Sequence, residues 1–528
     1  FFLLLHFIFE NSKSHSSSVY NELRFEGKFC DAIIKVEDVE FPVHKIILCN
    51  CAPYFRALFT SWSDPDKQVF NIPGLSPEMM ALIIDFAYTG SVSVTEENAV
   101  ELLMAADQLN VMDIVKICSD FVGEQLCAEN CVGIWQFTKV HLSPELRAKA
   151  FHYIVSNFEQ VVLQEEFLQL TVEELGDILE RDDLNVQCES TAYEALIKWI
   201  SHVPAEREQH LIALLSKVRL GLVTLDYLRD NVRLNQLVRT SSDHLSMIKA
   251  AIILPQNMTN RPYVFRLCPH LARPRLPHSV LLAIGGWSDR NPTNAIEAYD
   301  YRAECWVNVT NNLEHPRAYH GAAFLNGYVY SIGGFDRAEH FKSVRRFDLT
   351  TRTWNEVAPM YCRRCYVSVT VLNGFIYAMG GYDGHVRLSS AERYQPETNQ
   401  WSLIASMHEQ RSDASCTTLH SRVGKAYNPQ TNTWNLVSSM LTRRSNFGIA
   451  VINDRLFAVG GFNGFTTTFN VEYYDASTNR WFKACDMGIF RSALSCCVVS
   501  GHPNLSDYTI PRDSLTCLNV PEEAAEST

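Results

Sequence analysis

Five arginines hold one place relative to a recurring tryptophan. Arg364, Arg411, Arg444 and Arg491 each follow a Trp by ten residues, and Arg317 follows Trp306 by eleven. A guanidinium donates two parallel hydrogen bonds to a carboxylate. A repeated Arg therefore predicts either capture of acidic groups from a partner or repeated internal ion pairs. Nothing else in the chain offers bond-making chemistry. There is no P-loop, no His-Glu-x-x-His and no Gly-x-Ser-x-Gly. His408-Glu409 has no second His at metalloprotease spacing, and Cys362-Arg-Arg-Cys365 has no second pair to complete a zinc site. The expectation is a protein that is not an enzyme, with no catalytic residue, no metal and no cofactor.

The elements that must position these arginines occupy a chain of 528 residues, long enough for about three domains. A net charge of -13 disfavours nonspecific nucleic-acid binding, which needs basic surface. The sixteen cysteines are spread along the whole chain, unlike the dense framework of a small secreted domain, and imply reduced thiols in the cytoplasm. On that view the sequons at Asn257, Asn308 and Asn504 are chance matches. The opening FFLLLHFIF is too short to span a bilayer, which takes about 20 residues, so no membrane partner is expected. Residues 1–18 read as non-native or disordered.

The arginines fall within a repeat. Gly-Gly pairs at 285–286, 333–334, 380–381 and 460–461 each end an apolar strand: VLLAIGG, YVYSIGG, FIYAMGG and RLFAVGG. A Trp follows each second Gly by 20 residues, at Trp306, Trp354, Trp401 and Trp481, with an aromatic seven residues before it. The Trp spacings are 48, 47 and 80, and Trp434 divides the last into 33 and 47. The unit of 33 is 14 short, and the missing piece is the Gly-Gly strand. A period near 47 with these features suits four-stranded propeller blades, five in number with the fourth truncated. The stretch before 279 has no equivalent of AYHGAAFL, whereas SALSCCVV follows the last Trp, so the final strand is expected to join the first blade and close the ring. Ring symmetry would then set five guanidiniums around one mouth. The Gly-Gly pairs, the Tyr-Asp pairs and the Trp together resemble kelch repeats.

In the other half, AIIKV and VEFPVHK read as strands and IILCNCAPYFRALF as a helix broken at Pro53. With Asp31, His44, Lys45 and the later SPEMMALIIDFAYTGSV, residues 19–125 resemble a BTB/POZ domain. Residues 126–253 carry helical apolar spacing and DDLNVQCES before ALIKWI, and resemble a BACK domain. Five prolines mark 254–278 as linker, 279–500 form the propeller, and 501–528 are expected to be disordered.

The whole order resembles the BTB–BACK–kelch, or kelch-like, family. That resemblance implies a multidomain fold: an α/β BTB/POZ domain, an all-α BACK domain and an all-β kelch propeller of the six-blade type, with about one and a third blades missing. It implies a substrate-recognition adaptor of a cullin-3 RING ubiquitin ligase that forms a homodimer through its BTB domain and binds an unidentified protein substrate, with no nucleic-acid partner. Carried over by position, cullin-3 would meet Trp62, Asp64 and Tyr88, with Asp64 standing where the family motif has Glu. Arg317, Arg364, Arg411, Arg444 and Arg491 would bind acidic groups of the substrate. The alternative is an actin-binding or other cytoskeletal kelch scaffold without ubiquitin transfer.

Overall fold

The protein is described by a computed structural model covering residues 7–10, 16–64, 67–140, 143–239, 242–253, 269–310, 315–412, 425–428, 433–436 and 438–516. It divides into two compact units, one of residues 1–180 and 186–215, the other of 181–185 and 216–528.

The first unit opens with strand β1 (Phe7–Glu10), which falls within the stretch expected to be disordered. It pairs antiparallel with β5 (Ser91–Val94) of the same chain. Helix α1 (Ser16–Phe25) follows. A three-stranded sheet has β2 (Ala32–Val36) at its centre, antiparallel to β3 (Val39–Val43) and parallel to β4 (Val69–Asn71). The alternation in AIIKV puts Ala32, Ile34 and Val36 into the core. Pro53 divides the next helical stretch as its missing N–H requires. Helix α2 (Lys45–Cys51) stops, and α3 (Pro53–Thr60) restarts with Pro in its first turn. Helix α4 (Pro77–Thr89) is capped by Ser76, whose hydroxyl accepts from Met79, and ends at left-handed Gly90. Helices at Cys131–Phe137, Pro144–Ser156, Val172–Glu180 and Glu189–His202 continue the unit.

The second unit carries the repeats. The first blade joins Ser279–Ile284, Ile296–Asp300 and Cys305–Asn308 to the C-terminal strand Ser495–Ser500. That strand pairs with Ser279–Ile284 from Ser495↔Ile284 to Ser500↔Ser279, as the closure expectation required. The second blade (Gly321–Asp348 with Thr353–Val357), the third (Ser368–Gln395 with Gln400–Ile404) and the fifth (Gly448–Asp475 with Arg480–Lys483) are four-stranded antiparallel meanders. The fourth shows two strands, Lys425–Asn428 and Thr433–Leu436. Residues 413–424, where its inner strands would begin, lie outside the described residues.

The seven-residue spacing from aromatic to Trp has a simple cause: the two are cross-strand partners. Trp306 faces Tyr299, Trp354 faces Phe347, Trp401 faces Tyr394, Trp434 faces Tyr427 and Trp481 faces Tyr474. At three of these positions the indole then reaches into the blade before. Nε1 of Trp401 donates to Ala358, that of Trp481 to Ser438 and that of Trp306 to Cys485, each at 2.9 Å.

The first Gly of each pair is required by contact as well as by its positive φ. A Cβ on Gly285, Gly333, Gly380 or Gly460 would lie 2.5, 2.2, 2.5 or 2.5 Å from the carbonyl oxygen of Arg317, Arg364, Arg411 or Arg491 in the following blade.

Residues 501–515 differ from the disordered tail expected. Short 3-10 turns at Leu505–Tyr508 and Arg512–Thr516 pack onto the first two blades. Leu505 and Tyr508 join the core formed by Val280, Leu282, Val329 and Phe347, and the Tyr508 hydroxyl donates to the carbonyl of Leu349. Burial of two apolar side chains and a satisfied hydroxyl outweighs the entropy of ordering so short a segment.

Candidate functional site

In the first unit, Trp62 stands just beyond α3 with 63% of its surface exposed. Its N–H closes the helix on the carbonyl of Ala57, and its ring meets Tyr54 edge-on at 5.6 Å. This is a fixed, solvent-facing aromatic of the kind that anchors protein interfaces. Asp64 is exposed two residues further on.

Tyr88 differs from the contact residue expected. It is 3% exposed at the end of α4, and its hydroxyl is engaged twice by His44. His44 Nε2 lies 3.0 Å from the carbonyl of Lys28, so Nε2 carries the proton. Nδ1 is then the acceptor of the Tyr88 O–H at 2.7 Å, while the backbone N–H of His44 donates to the same oxygen. Burial pushes the Tyr88 phenol up to about 12. Asp31 completes the junction by accepting the N–H of Lys45 at 2.7 Å. The three residues singled out in the sequence, Asp31, His44 and Lys45, thus shape this junction.

The five arginines resolve differently from a ring of open guanidiniums. Arg364 has no exposed surface. Its guanidinium donates to the carbonyls of Gly380 and Ser390, to Ser390 Oγ and to Glu392. Arg444 repeats the pattern with Gly460, Asn470 and Glu472, and Arg491 with Ala283, Ala295 and Glu297. Each ion pair is almost wholly buried, with N–O distances of 2.9, 2.6 and 2.7 Å. The main chain of the same residue ties back the other way. The second Gly of the preceding blade donates to the carbonyl of Arg317, Arg364, Arg411 and Arg491. Arg317, Arg364 and Arg491 are therefore rivets, the backbone holding one blade and the side chain the next, and Arg444 makes the side-chain half of the same link.

The signal the sequence offered for this was a Glu twelve residues after the first Gly, at Glu297, Glu392 and Glu472. The second blade has Arg345 there, and Arg317, also buried, donates to the carbonyl of Gly333 and lies over the Phe341 ring. Arg411 alone of the five is exposed, paired at the surface with Glu409 at 3.6 Å. Its own repeat lacks the Gly-Gly strand and the Glu.

What faces solvent at this end is the residue beside each rivet and the turn after each Gly-Gly. Arg363 and Arg443 precede buried arginines and are exposed. The turns are built alike on an Asx side chain: Asp336 caps Ala338 and Glu339, Asp383 caps His385 and Val386, and Asn463 caps Phe465 and Thr466. One scaffold therefore presents different tips, with Arg337 on the second blade, His385 and Arg387 on the third, and Phe465, 95% exposed, on the fifth. A cavity of about 680 Å³ opens here, lined by Tyr366, Tyr382, His385, Arg387, Gln410 and Asn446. Its lining residues come from the third blade, from Gln410 after it and from Asn446 at the start of the fifth. Among the described residues no group of His, Cys, Asp or Glu could hold a metal ion, and no helix is long and apolar enough to cross a membrane.

Comparison with known proteins places three family profiles on the chain. A BTB/POZ domain profile matches residues 20–126, and the BACK (BTB and C-terminal kelch) profile matches 131–233. The kelch motif matches 278–313, 316–361, 363–408 and 443–488, leaving the truncated unit between the last two. Kelch-like protein 3 of Pongo abelii is 34% identical over 325 residues, and kelch-like protein 2 of Rattus norvegicus 34% identical over 324. Each alignment covers 60% of this chain and 54% of the relative, so the chain spans about half the length of the curated relatives it matches.

Proposed function

The chain belongs to the BTB–BACK–kelch, or kelch-like, family, and from that premise we propose that it is a substrate-recognition adaptor of a cullin-3 RING ubiquitin ligase. The BTB and BACK domains would hold cullin-3 and the kelch blades a protein target. The adaptor supplies proximity, raising the effective concentration of target lysines near the transferring enzyme, and needs no catalytic group of its own. The observation that carries this proposal is the exposed, helix-fixed Trp62 at the family's cullin-contact position, followed by acidic Asp64. Tyr88 shapes the junction beneath and makes no surface of its own.

Val19 and Tyr20 on α1 are half exposed, which supports a second copy packing there as a homodimer. The β1–β5 pairing, made here within one chain, is the pairing that an exchange of N-terminal segments would make between two. Free thiols at all thirteen described cysteines support a cytoplasmic setting. Within the family, RPRLPHSVLLAIGGWSDRNPTNAIEAYD and NFGIAVINDRLFAVGGFNGFTTTFNVE resemble the germ-cell member, kelch-like protein ten, and a role in spermatogenesis is part of the proposal.

For the target we propose the turn tips and the residues beside the rivets: Arg337, Arg363, Arg387, Arg411 and Arg443 for acidic groups, and Phe465 for an apolar one. Substituting Trp62→Ala should abolish cullin-3 pull-down while leaving the melting temperature within about 2 °C, because the side chain is largely exposed. Full capture of cullin-3 by a folded Trp62→Ala protein would reject the mapped contact. Equal capture by a chain lacking residues 1–125 would reject the adaptor role.

A further inference from the structure

We infer that the segment after the closing strand, Leu505–Asp513, is a clasp that fixes the propeller to the loop Arg181–Asn185, and that Arg273 and Arg512 act as positioning residues for ubiquitin transfer. The positioning role rests on the adaptor function proposed above; the clasp does not.

Arg512 is buried and has every direction of its guanidinium engaged. It grips both oxygens of Asp300, at 2.5 and 3.3 Å, where the first blade's third strand ends. Its Nε donates to the carbonyl of Pro274 and its Nη2 to that of Arg275, both in the connection leading into the propeller. One side chain of the C-terminal segment therefore holds the entering chain against the first blade. Tyr508 and Arg352 do the same at the second blade, through the carbonyls of Leu349 and Asp507.

The entering chain is held in turn by the loop. Arg273 forks onto Asp182 through Nε and Nη2 and reaches Asp513 through Nη1 at 2.8 Å. Arg219 donates to Asp182 and to the carbonyl of Arg273. The Leu276 N–H donates to the carbonyl of Asp182 at 2.6 Å, and Arg275 Nη1 to that of Arg181. Burial alone would raise the Asp182 pKa, but its hydrogen bonds from Arg273 and Arg219 win and hold it below the ordinary value.

A proline-rich connection by itself is a tether, and a tethered target samples many distances from the transferring enzyme. Charge-assisted hydrogen bonds among the loop, the entering chain and the C-terminal segment restrict the motion of these three pieces against each other. Antiparallel order places these contacts at the end of the blades opposite the Gly-Gly turns, because Asp300 and Leu349 close the third strands whose first residues follow those turns. Breaking the clasp should therefore leave the target-binding end untouched.

The test uses the full chain and two mild variants, Arg273→Ala and Asp513→Ala, whose side chains reach solvent, beside a chain ended after residue 504. Hydrogen exchange is read at residues 181–185 and 273–276. Ubiquitin attachment to the propeller's own exposed Lys342 and Lys483 is mapped in a reaction with cullin-3. Arg273→Ala and the shortened chain should raise exchange at 273–276 by at least about tenfold, as loss of a local cooperative contact does. The ratio of modification at Lys342 and Lys483 should shift more than about twofold, with cullin-3 binding unchanged. Unchanged exchange in both would overturn the clasp. Raised exchange with an unchanged lysine ratio would overturn the positioning role. Absence of any modification of the unaltered chain would count against the adaptor function, while the exchange result still decides the clasp.

Discussion

Arg364 and Arg411 are separated by 47 residues, one repeat, and begin the third and fourth blades. Their main chains do the same work, each accepting the N–H of the second Gly in the blade before, at 2.8 Å. Their side chains do not. Arg364 finds Gly380, Ser390 and Glu392 in the strands that follow it, and is buried. Arg411 is followed by a repeat without a Gly-Gly strand and without the Glu, and stays in solvent.

The same contrast shows in the faces behind them. Tyr330 and Ile332 of the second blade are buried against Ile376, Ala378, Tyr394 and Trp401 of the third. Their equivalents one repeat on, Tyr377 and Met379, are only half-buried. One position in a repeat can thus be a buried rivet or a solvent-facing cation, and the chain that follows it decides which.

The largest effect that could break this comparison is removal of one buried partner. Glu392→Ala leaves the Arg364 guanidinium unpaired and two backbone N–H groups, of Tyr361 and Cys362, without their acceptor. Loss of one half of a buried pair costs about 3–5 kcal/mol, which chemical denaturation would read directly. A cost under about 1 kcal/mol would mean that the pair is no rivet.

Next in size is the second blade. There His320 stands where the other repeats put Val367, Phe447 and Leu494, three residues after the rivet. Neither of its ring nitrogens has a hydrogen-bond partner. Burial, with Arg317 and Arg491 adding to it, pushes its pKa down to about 3. The folded state therefore stays neutral at pH values where an unfolded His, near 6.5, takes up a proton. Stability from this group is whole above about pH 6.5 and falls by about 1.4 kcal/mol per unit below it, about 2 kcal/mol by pH 5. His320→Leu should remove that slope, seen as a smaller loss of stability between pH 7 and pH 5 than in the unaltered chain.

Of similar size is Tyr88→Phe. It strips a hydroxyl that accepts from one group of His44 and donates to another. The expected cost is about 1–3 kcal/mol, with cullin-3 capture retained by the protein that folds. Smallest is Arg411→Ala, which should change stability by no more than about 0.5 kcal/mol. A large loss there would show that the fourth repeat builds a full rivet after all.

Much of this was legible from residue types and spacing. The Gly-Gly pairs, the aromatic seven before each Trp and the closing strand all became observed contacts, because each depends on period-two strands and short turns that sequence spacing fixes. The break at Pro53 followed from the missing N–H. The order of the C-terminal segment was not legible, since a dozen polar and apolar residues without periodicity give no local reason to fold. Leu505 and Tyr508 are ordered only because the first two blades offer them a face.

The roles of the arginines and of Tyr88 show where local information ends. Their residue types established that carboxylates and hydrogen-bond partners were needed at fixed intervals, and the repeat established that five such places exist. Whether those partners came from outside or from within was a question of burial, which depends on strands brought together from distant parts of the chain. Arg491 meets Glu297 across 194 residues, a pairing that exists only once the ring closes. A guanidinium taken out of water must find its charge partner inside the protein, so the strands that bury each arginine, within its own repeat for Arg364 and Arg444 and across the closure for Arg491, made these residues structural and left those beside them to face a partner.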